Sequence, residues 1–153
     1  MIRRLLRTSG DMVPLVLRLT LGIVMFPHGA QKMFGWFGGA GFGGTLTMFQ
    51  EYMSIPTPVT VLVIVAEFFG ALGLIAGALT RLAALGIAAV MVGAVATQHA
   101  SFGFFMNWAG TQKGEGFEYH LLTIGLAIAL MVRGGGMWSL DAAVVASGER
   151  RDR

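Results

Sequence analysis

No cysteine occurs among the 153 residues. The chain therefore makes no disulfide, has no dithiol relay and offers no thiolate ligands to an iron–sulfur cluster. Charge is nearly as scarce. Asp, Glu, Lys and Arg make up only 12% of the residues, about half the share of an ordinary soluble domain. That leaves too little polar surface to coat a water-soluble globule. Long repeats and low-complexity tracts are missing as well. The excess of 11 basic over 8 acidic residues is small, and membrane topology accounts for most of it without nucleic acid.

What is plentiful is apolar. Hydrophobic residues make up 55% of the chain and the mean hydropathy is +0.70. Four apolar segments, at about 13–33, 59–79, 82–105 and 117–133, each come near the ~20 residues that cross a hydrocarbon core. The expected fold is all-α: one domain over 1–153, a four-transmembrane-helix up-and-down bundle with a solvated tail at 142–153. Thr57-Pro58 offers the second span a cap and a proline at its first helical position. Gly134-Gly135-Gly136 stops the fourth. Thr80-Arg81 alone separates the second and third spans, so they form a tight hairpin. The first segment follows Arg3, Arg4 and Arg7 and so looks like a signal peptide. However, Arg18 interrupts it and no small-residue cleavage pattern follows, so it is expected to be retained.

Orientation follows from the basic residues. Arg3, Arg4, Arg7, Arg81, Arg133, Arg150, Arg151 and Arg153 fall on one side, against Lys32 and Lys113 on the other. Both termini are therefore expected in the cytoplasm (N-in, C-in), in the cell's inner membrane. The loops at about 34–58 and 106–116 would face outward. The first is rich in glycine and aromatics, and Leu46, Phe49 and Met53 have the spacing of a short interfacial helix. Trp36, Phe37, Tyr52 and Trp108 suit the aromatic belt. Gly39-Ala40-Gly41-Phe42-Gly43-Gly44 satisfies G-x-G-x-x-G. It follows a membrane helix rather than a strand, so a nucleotide loop is set aside in favour of sharp turns at the interface.

Ionisable residues inside spans are costly and are functional candidates by default. They are Arg18, His28, Lys32, Glu67, His99, Glu118 and His120. The alternating direction of the spans carries most of them to the outer level. Glu67 lies roughly 12 Å below the start of its span. His28 and Lys32 share a helical face. Glu67 shares one with Gly70, Leu74 and Gly77, which should point it into the bundle. His28, Lys32, Glu67, His99 and Glu118 are thus expected to line a polar pocket in the outer half. Glu67, His28 and His99 are its proton-handling candidates, and no catalytic residue is assigned. Arg18, roughly 9 Å deeper, is expected to pair with Glu67 as a structural ion pair. Bland alternatives stand beside these. Arg18 snorkelling to the boundary and histidines satisfied by water or backbone both fit the sequence.

Among ligands, no cofactor is firmly implied. A quinone fits a polar pocket walled by Phe26, Phe34, Phe68, Phe69, Phe102, Phe104 and Phe105. Haem held by His28 and His99 is a weak fit for three histidines with no attachment pattern. A metal site is not expected, because the histidines follow no local ligand spacing.

These residues, in this order, resemble the DoxX family of small four-helix bacterial membrane proteins. The matching elements are Arg18-Leu-Thr-Leu-Gly22, His28-Gly29-x-x-Lys32 with Gly-Trp-Phe-Gly-Gly at 35–39, and Glu67-Phe-Phe-Gly70. Gly77-Ala-Leu-Thr-Arg81, His99, Gly114-Glu115-x-x-Glu118 and Ser139-Leu-Asp141 continue the match over nearly the whole chain. The resemblance implies an integral membrane protein that works with redox systems. It points to an accessory subunit of a quinone-linked or oxidative-stress membrane oxidoreductase, with protein partners in the bilayer. Without a dithiol, electrons would have to pass through a bound quinone, a haem or a partner chain. A non-enzymatic scaffold or assembly factor is the alternative. A small transporter or permeability factor is the third, and would call for a homo-oligomer.

Overall fold

The structure, a computed structural model, describes residues 6, 8 and 10–151, with side chains as far as residue 148. Arg3, Arg4, Arg7 and Arg153, and the side chains of Arg150 and Arg151, all used in the orientation argument, lie outside the described residues. Among the described residues there are helices and turns and no strand.

Helix α1 spans Val13–Phe34. Pro14 opens it at a position where the missing N–H costs nothing. Gly35 closes it in the left-handed conformation, φ 76°, with its N–H on the Gln31 carbonyl. A short 3-10 turn, Trp36–Gly38, leads to α2, Gly41–Met53. Thr45 and Phe49 are buried on its bundle side, as the expected helical spacing in this loop requires. Helix α3 spans Thr57–Ala76 and α4 spans Thr80–Ala94. A π-helical turn, Val95–His99, and a 3-10 turn, Ala100–Phe102, extend α4. Helix α5 spans Glu118–Arg133 and α6 spans Leu140–Arg151.

Several boundaries differ from expectation. The α3–α4 turn is Gly77–Leu79 rather than Thr80-Arg81, because Gly77 at φ 67° and Leu79 at φ 48° turn the chain left-handed there. Thr80 and Arg81 already belong to α4. Pro56, not Thr57, occupies the cap position of α3, and no side chain caps it. The regular helix of the third segment ends well before residue 105. The segment read as a tail from 142 is mostly the helix α6.

Helix α1 packs on α3, α3 on α4, α4 on α5, and α5 back on α1. This closes a ring of four helices. Its core contains Leu21, Met25, Leu74, Ile87, Met91 and Leu130. The opposite faces, among them Ile23, Leu62, Val65, Leu72, Leu82, Leu85 and Val92, are exposed and apolar. A surface of that kind needs lipid. Among the described residues, three helices are long and apolar enough to cross a membrane: Val13–Phe34, Thr57–Ala76 and Thr80–Phe102. Helix α5 has 16 residues. The chain is an integral membrane protein. One end of the bundle gathers the α3–α4 turn, residues 134–139 and the start of α1, and is called here the terminal end. The other gathers residues 35–56 and 103–117, and is called the loop end.

Candidate functional site

Glycine sets the distance between α1 and α3. A Cβ on Gly29 would lie 2.5 Å from the Phe68 Cα and 2.8 Å from the Glu67 carbonyl carbon, so no larger residue fits. This contact brings Lys32, one turn further on, over Glu67. Glu67 is buried, at 4% exposure. Its Oε2 accepts from Lys32 Nζ at 2.6 Å. An isolated carboxylate at that depth would be prohibitively costly, and the ammonium offsets the cost.

The Arg18–Glu67 pair expected from the sequence does not form. Arg18 is buried, at 2% exposure, and turns toward the terminal end. Its Nε donates to Gly135 O at 3.0 Å. Nη1 donates to Leu74 O at 3.2 Å and Ile75 O at 2.5 Å. Nη2 donates to Met137 O at 3.2 Å and Trp138 O at 2.9 Å. A guanidinium has five N–H donors, and these five bonds use them all. The Leu74 and Ile75 carbonyls belong to the last turn of α3, which has orphan acceptors to offer. Asp141 supplies negative charge to the same cluster. Its carboxylate accepts from Leu79 N at 2.8 Å and Thr80 N at 2.9 Å, capping the start of α4. Ser139 packs so close to Gly77 that a Cβ there would lie 2.5 Å from the Ser139 Cβ.

At the loop end the members of the expected pocket divide. His28 is exposed on the rim of α1, within electrostatic reach of Lys32 and Glu67. His99 lies at the end of the π-helical turn, with Nδ1 2.9 Å from the Glu115 carbonyl. Glu118 does not join the pocket. Its Oε1 accepts from Met106 N at 2.8 Å and Trp108 Nε1 at 3.3 Å, so it pins the 103–117 loop instead. The side chain that meets His99 is instead His120, an ionisable residue of the fourth segment that the expected pocket does not include. His120 is buried, at 7% exposure, and its ring lies 4.1 Å from that of His99, centroid to centroid. Its Nδ1 is buried without a hydrogen-bond partner. His28 is the other histidine whose charge acts on it. Tyr119 meets the His120 ring edge-on at 5.8 Å, and its hydroxyl lies 3.9 Å from Met25 Sδ.

The seven phenylalanines proposed as a wall divide too. Phe26, Phe34 and Phe69 surround Phe68 at 5.8, 5.1 and 5.1 Å, beside Glu67. Phe104 and Phe105 meet edge to face at 5.1 Å in the loop, where with Ser101, Phe102, Gly103, Gln112 and Lys113 they bound an open cleft of about 450 Å³. Among the described residues, no three His, Asp or Glu side chains gather closely enough to hold a metal ion.

The fold and the paired clusters can be set against known proteins. A family model described as DoxX matches residues 13–100. These residues hold α1 through α4 with Arg18, Gly29, Lys32, Glu67 and His99. No curated protein and no solved structure matches the chain.

Proposed function

The chain belongs to the DoxX family, and on that premise we propose that it is an accessory subunit of a quinone-linked or oxidative-stress oxidoreductase complex in the cell membrane. In this reading α1, α3, α4 and α5 all cross. At 16 residues, α5 spans only about 24 Å, short of a ~30 Å core, and its place in the closed ring with Arg133 at its end supports a fourth crossing. Arg81 and Arg133 lie at the terminal end, which the positive-inside rule puts in the cytoplasm. The loop end then faces outward, and exposed Trp36, Phe37, Tyr52 and Trp108 anchor it in the headgroups.

The observation that carries the proposal is the pair between partly buried Lys32 and buried Glu67 on the loop-end side of the bundle. It is joined there by His28, by the His99–His120 ring contact and by the Phe68 cluster. Quinone reduction and quinol oxidation each need protons moved beside an apolar ring. Ammonium, carboxylate and imidazole against phenylalanine supply both requirements. Lys32 and Glu67 would bind and polarise a quinone oxygen, and the histidines would exchange protons. The protein would contribute binding and proton handling while electrons come from a partner chain.

Purified protein in mild detergent, scanned in the visible and extracted for quinone, tests this. Quinone should co-purify or bind on addition, and Glu67→Gln should weaken binding at least tenfold while the protein still inserts. A preparation that neither carries nor binds quinone overturns the proposal. The saturated Arg18 cluster favours a scaffold as the second reading. For a scaffold, Glu67→Gln would alter only the amount of protein present.

A further inference from the structure

Three of the seven phenylalanines expected to wall a single pocket stand apart from Glu67. Phe102, Phe104 and Phe105 line the open cleft at the loop end instead. All three are exposed, Phe105 most of all at 67%. An apolar wall left open beside a lipid-facing surface calls for an apolar partner.

The cleft is built by the 103–117 loop. A connection of that length without helix or strand is uncommon in a compact domain and is usually functional or disordered. This one is tied down by its own polar side chains. Asn107 Oδ1 accepts from Gln112 N at 2.9 Å, and Asn107 Nδ2 donates to Gln112 O at 3.1 Å. Glu115 Oε2 accepts from Asn107 N at 2.7 Å, and Glu118 Oε1 from Met106 N and Trp108 Nε1. Gly114 lets the loop close on the cleft wall, since a Cβ there would lie 2.6 Å from the Phe102 ring. The cleft is therefore shaped before anything enters it, which lowers the ordering cost of binding.

Two polar side chains are left over, and both line the cleft. The amide of Gln112 makes no hydrogen bond among the described residues, because Asn107 holds only its backbone. Lys113 is exposed and joins no ion pair among the described residues. The other lysine of the loop end, Lys32, is taken by Glu67. Ser101, also on the cleft, is spent on Gln98 O at 3.4 Å. Neither Glu115 nor Glu118 lines the cleft, and both carboxylates are occupied by N–H donors. The lining thus carries one positive charge and no negative one.

We propose that this cleft binds one anionic phospholipid. Its phosphate meets the Lys113 ammonium and the Gln112 amide, and an acyl chain lies along Phe102, Phe104 and Phe105. A cation and an amide beside an aromatic wall suit a ligand charged at one end and apolar at the other. A free phosphate ion would leave the phenylalanines unused. Position favours a lipid as well. Trp108, in the same loop, is 86% exposed, as suits a ring at headgroup level. The loop end bounds the apolar belt, so headgroups surround it whichever leaflet it faces. The site is separate from the Lys32–Glu67 pair and does not rest on quinone binding.

Native mass spectrometry of detergent-purified protein tests the site. The protein is titrated with phosphatidylglycerol or with phosphatidylcholine of the same chains. The first phosphatidylglycerol should bind about fivefold more tightly, the advantage of one lysine near an anionic headgroup. Lys113→Gln should abolish that preference without changing the melting temperature, because Lys113 has no partner within the chain to lose. Phe105→Ser should weaken both lipids and keep their ratio. Millimolar inorganic phosphate should not displace the lipid. Equal binding of the two lipids by the parent, a preference that survives Lys113→Gln, undiminished binding in Phe105→Ser, or displacement by inorganic phosphate would each overturn the proposal.

Discussion

The two ends of the bundle hold buried charge in opposite ways. At the terminal end, Arg18 spends all five donors on backbone carbonyls from α3 and residues 135–138. Asp141 likewise accepts from backbone N–H groups of Leu79 and Thr80. At the loop end, charge meets charge through side chains, Lys32 on Glu67, and a histidine nitrogen is left over. Backbone partners cannot move without unfolding a helix end, so the first arrangement fixes structure. Side-chain partners can change protonation or exchange for a ligand, so the second can do chemistry. Thr80 Oγ1 is also buried without a partner at the terminal end. It is a neutral hydroxyl that does not titrate.

Removing Arg18 should break the comparison most severely. Arg18→Met keeps an apolar stem but removes five hydrogen bonds to carbonyls, and should cost about 3–5 kcal/mol, the usual loss on breaking a buried charged network. The protein should fail to accumulate or should melt far earlier in detergent. Arg18→Lys should recover little. An ammonium has three donors on a single nitrogen and cannot span carbonyls on two sides. If Arg18→Lys were as stable as the parent, the view of this end as a fixed backbone clamp would be wrong.

The loop end should be more forgiving. Glu67→Gln leaves Lys32 without its counter-charge. Lys32 is 21% exposed at the side chain, so water or headgroups can reach it. The expected loss is about 1–3 kcal/mol, less than for a fully sealed pair. The double change Lys32→Met with Glu67→Gln should recover most of that loss, because no unpaired charge remains. Thermal unfolding of the two single variants and the double one forms the cycle. Full recovery of stability together with lost quinone binding would sharpen the distinction between a structural and a chemical end. A double variant as unstable as Glu67→Gln would erase it.

The sequence revealed the helices more readily than their partners. Apolar run length identified α1, α3 and α4, and the Leu46, Phe49, Met53 spacing identified α2. The face shared by Glu67, Gly70 and Leu74 correctly turned that carboxylate inward, since all three are buried. Arg18 was paired wrongly because carbonyls have no sequence signature. Glu67 is the acid that the span directions bring close in depth, whereas the actual acceptors are carbonyls at the end of α3 and in residues 135–138. Once Arg18 turned that way, Lys32, beside the close approach at Gly29, took the carboxylate. His120 was left out of the pocket for a different reason. The direction of the span gives His99 a depth but no face, and the π-helical turn that sets its face has no sequence signature. Glu118 was put in the pocket by depth alone, and its actual partners depend on a loop conformation that periodicity does not encode.

The smallest expected effect lies on the surface of the terminal end and tests how far its rigidity extends. Asp11 precedes α1. Its Oδ1 accepts from Val13 N at 2.9 Å, and Oδ2 pairs with Arg133 Nη2 at 3.0 Å. The Val13 amide chiefly holds the Asp11 carboxyl below its ordinary range; burial opposes it, and the Arg133 guanidinium adds to the lowering. A lowered folded-state value means that the folded form favours the carboxylate. The stabilisation is therefore present above the unfolded carboxyl range and is lost as pH falls through the folded value. Asp11→Asn should lower the melting temperature slightly at neutral pH. The difference from the parent should vanish in acid, and it should shrink in high salt as the exposed pair is screened. The Arg18 cluster is buried and bonded mainly to uncharged carbonyls, so the loss in Arg18→Met should persist in salt. If the two losses fell together with salt, the terminal end would be held by surface charge, and its contrast with the loop end would rest on burial alone.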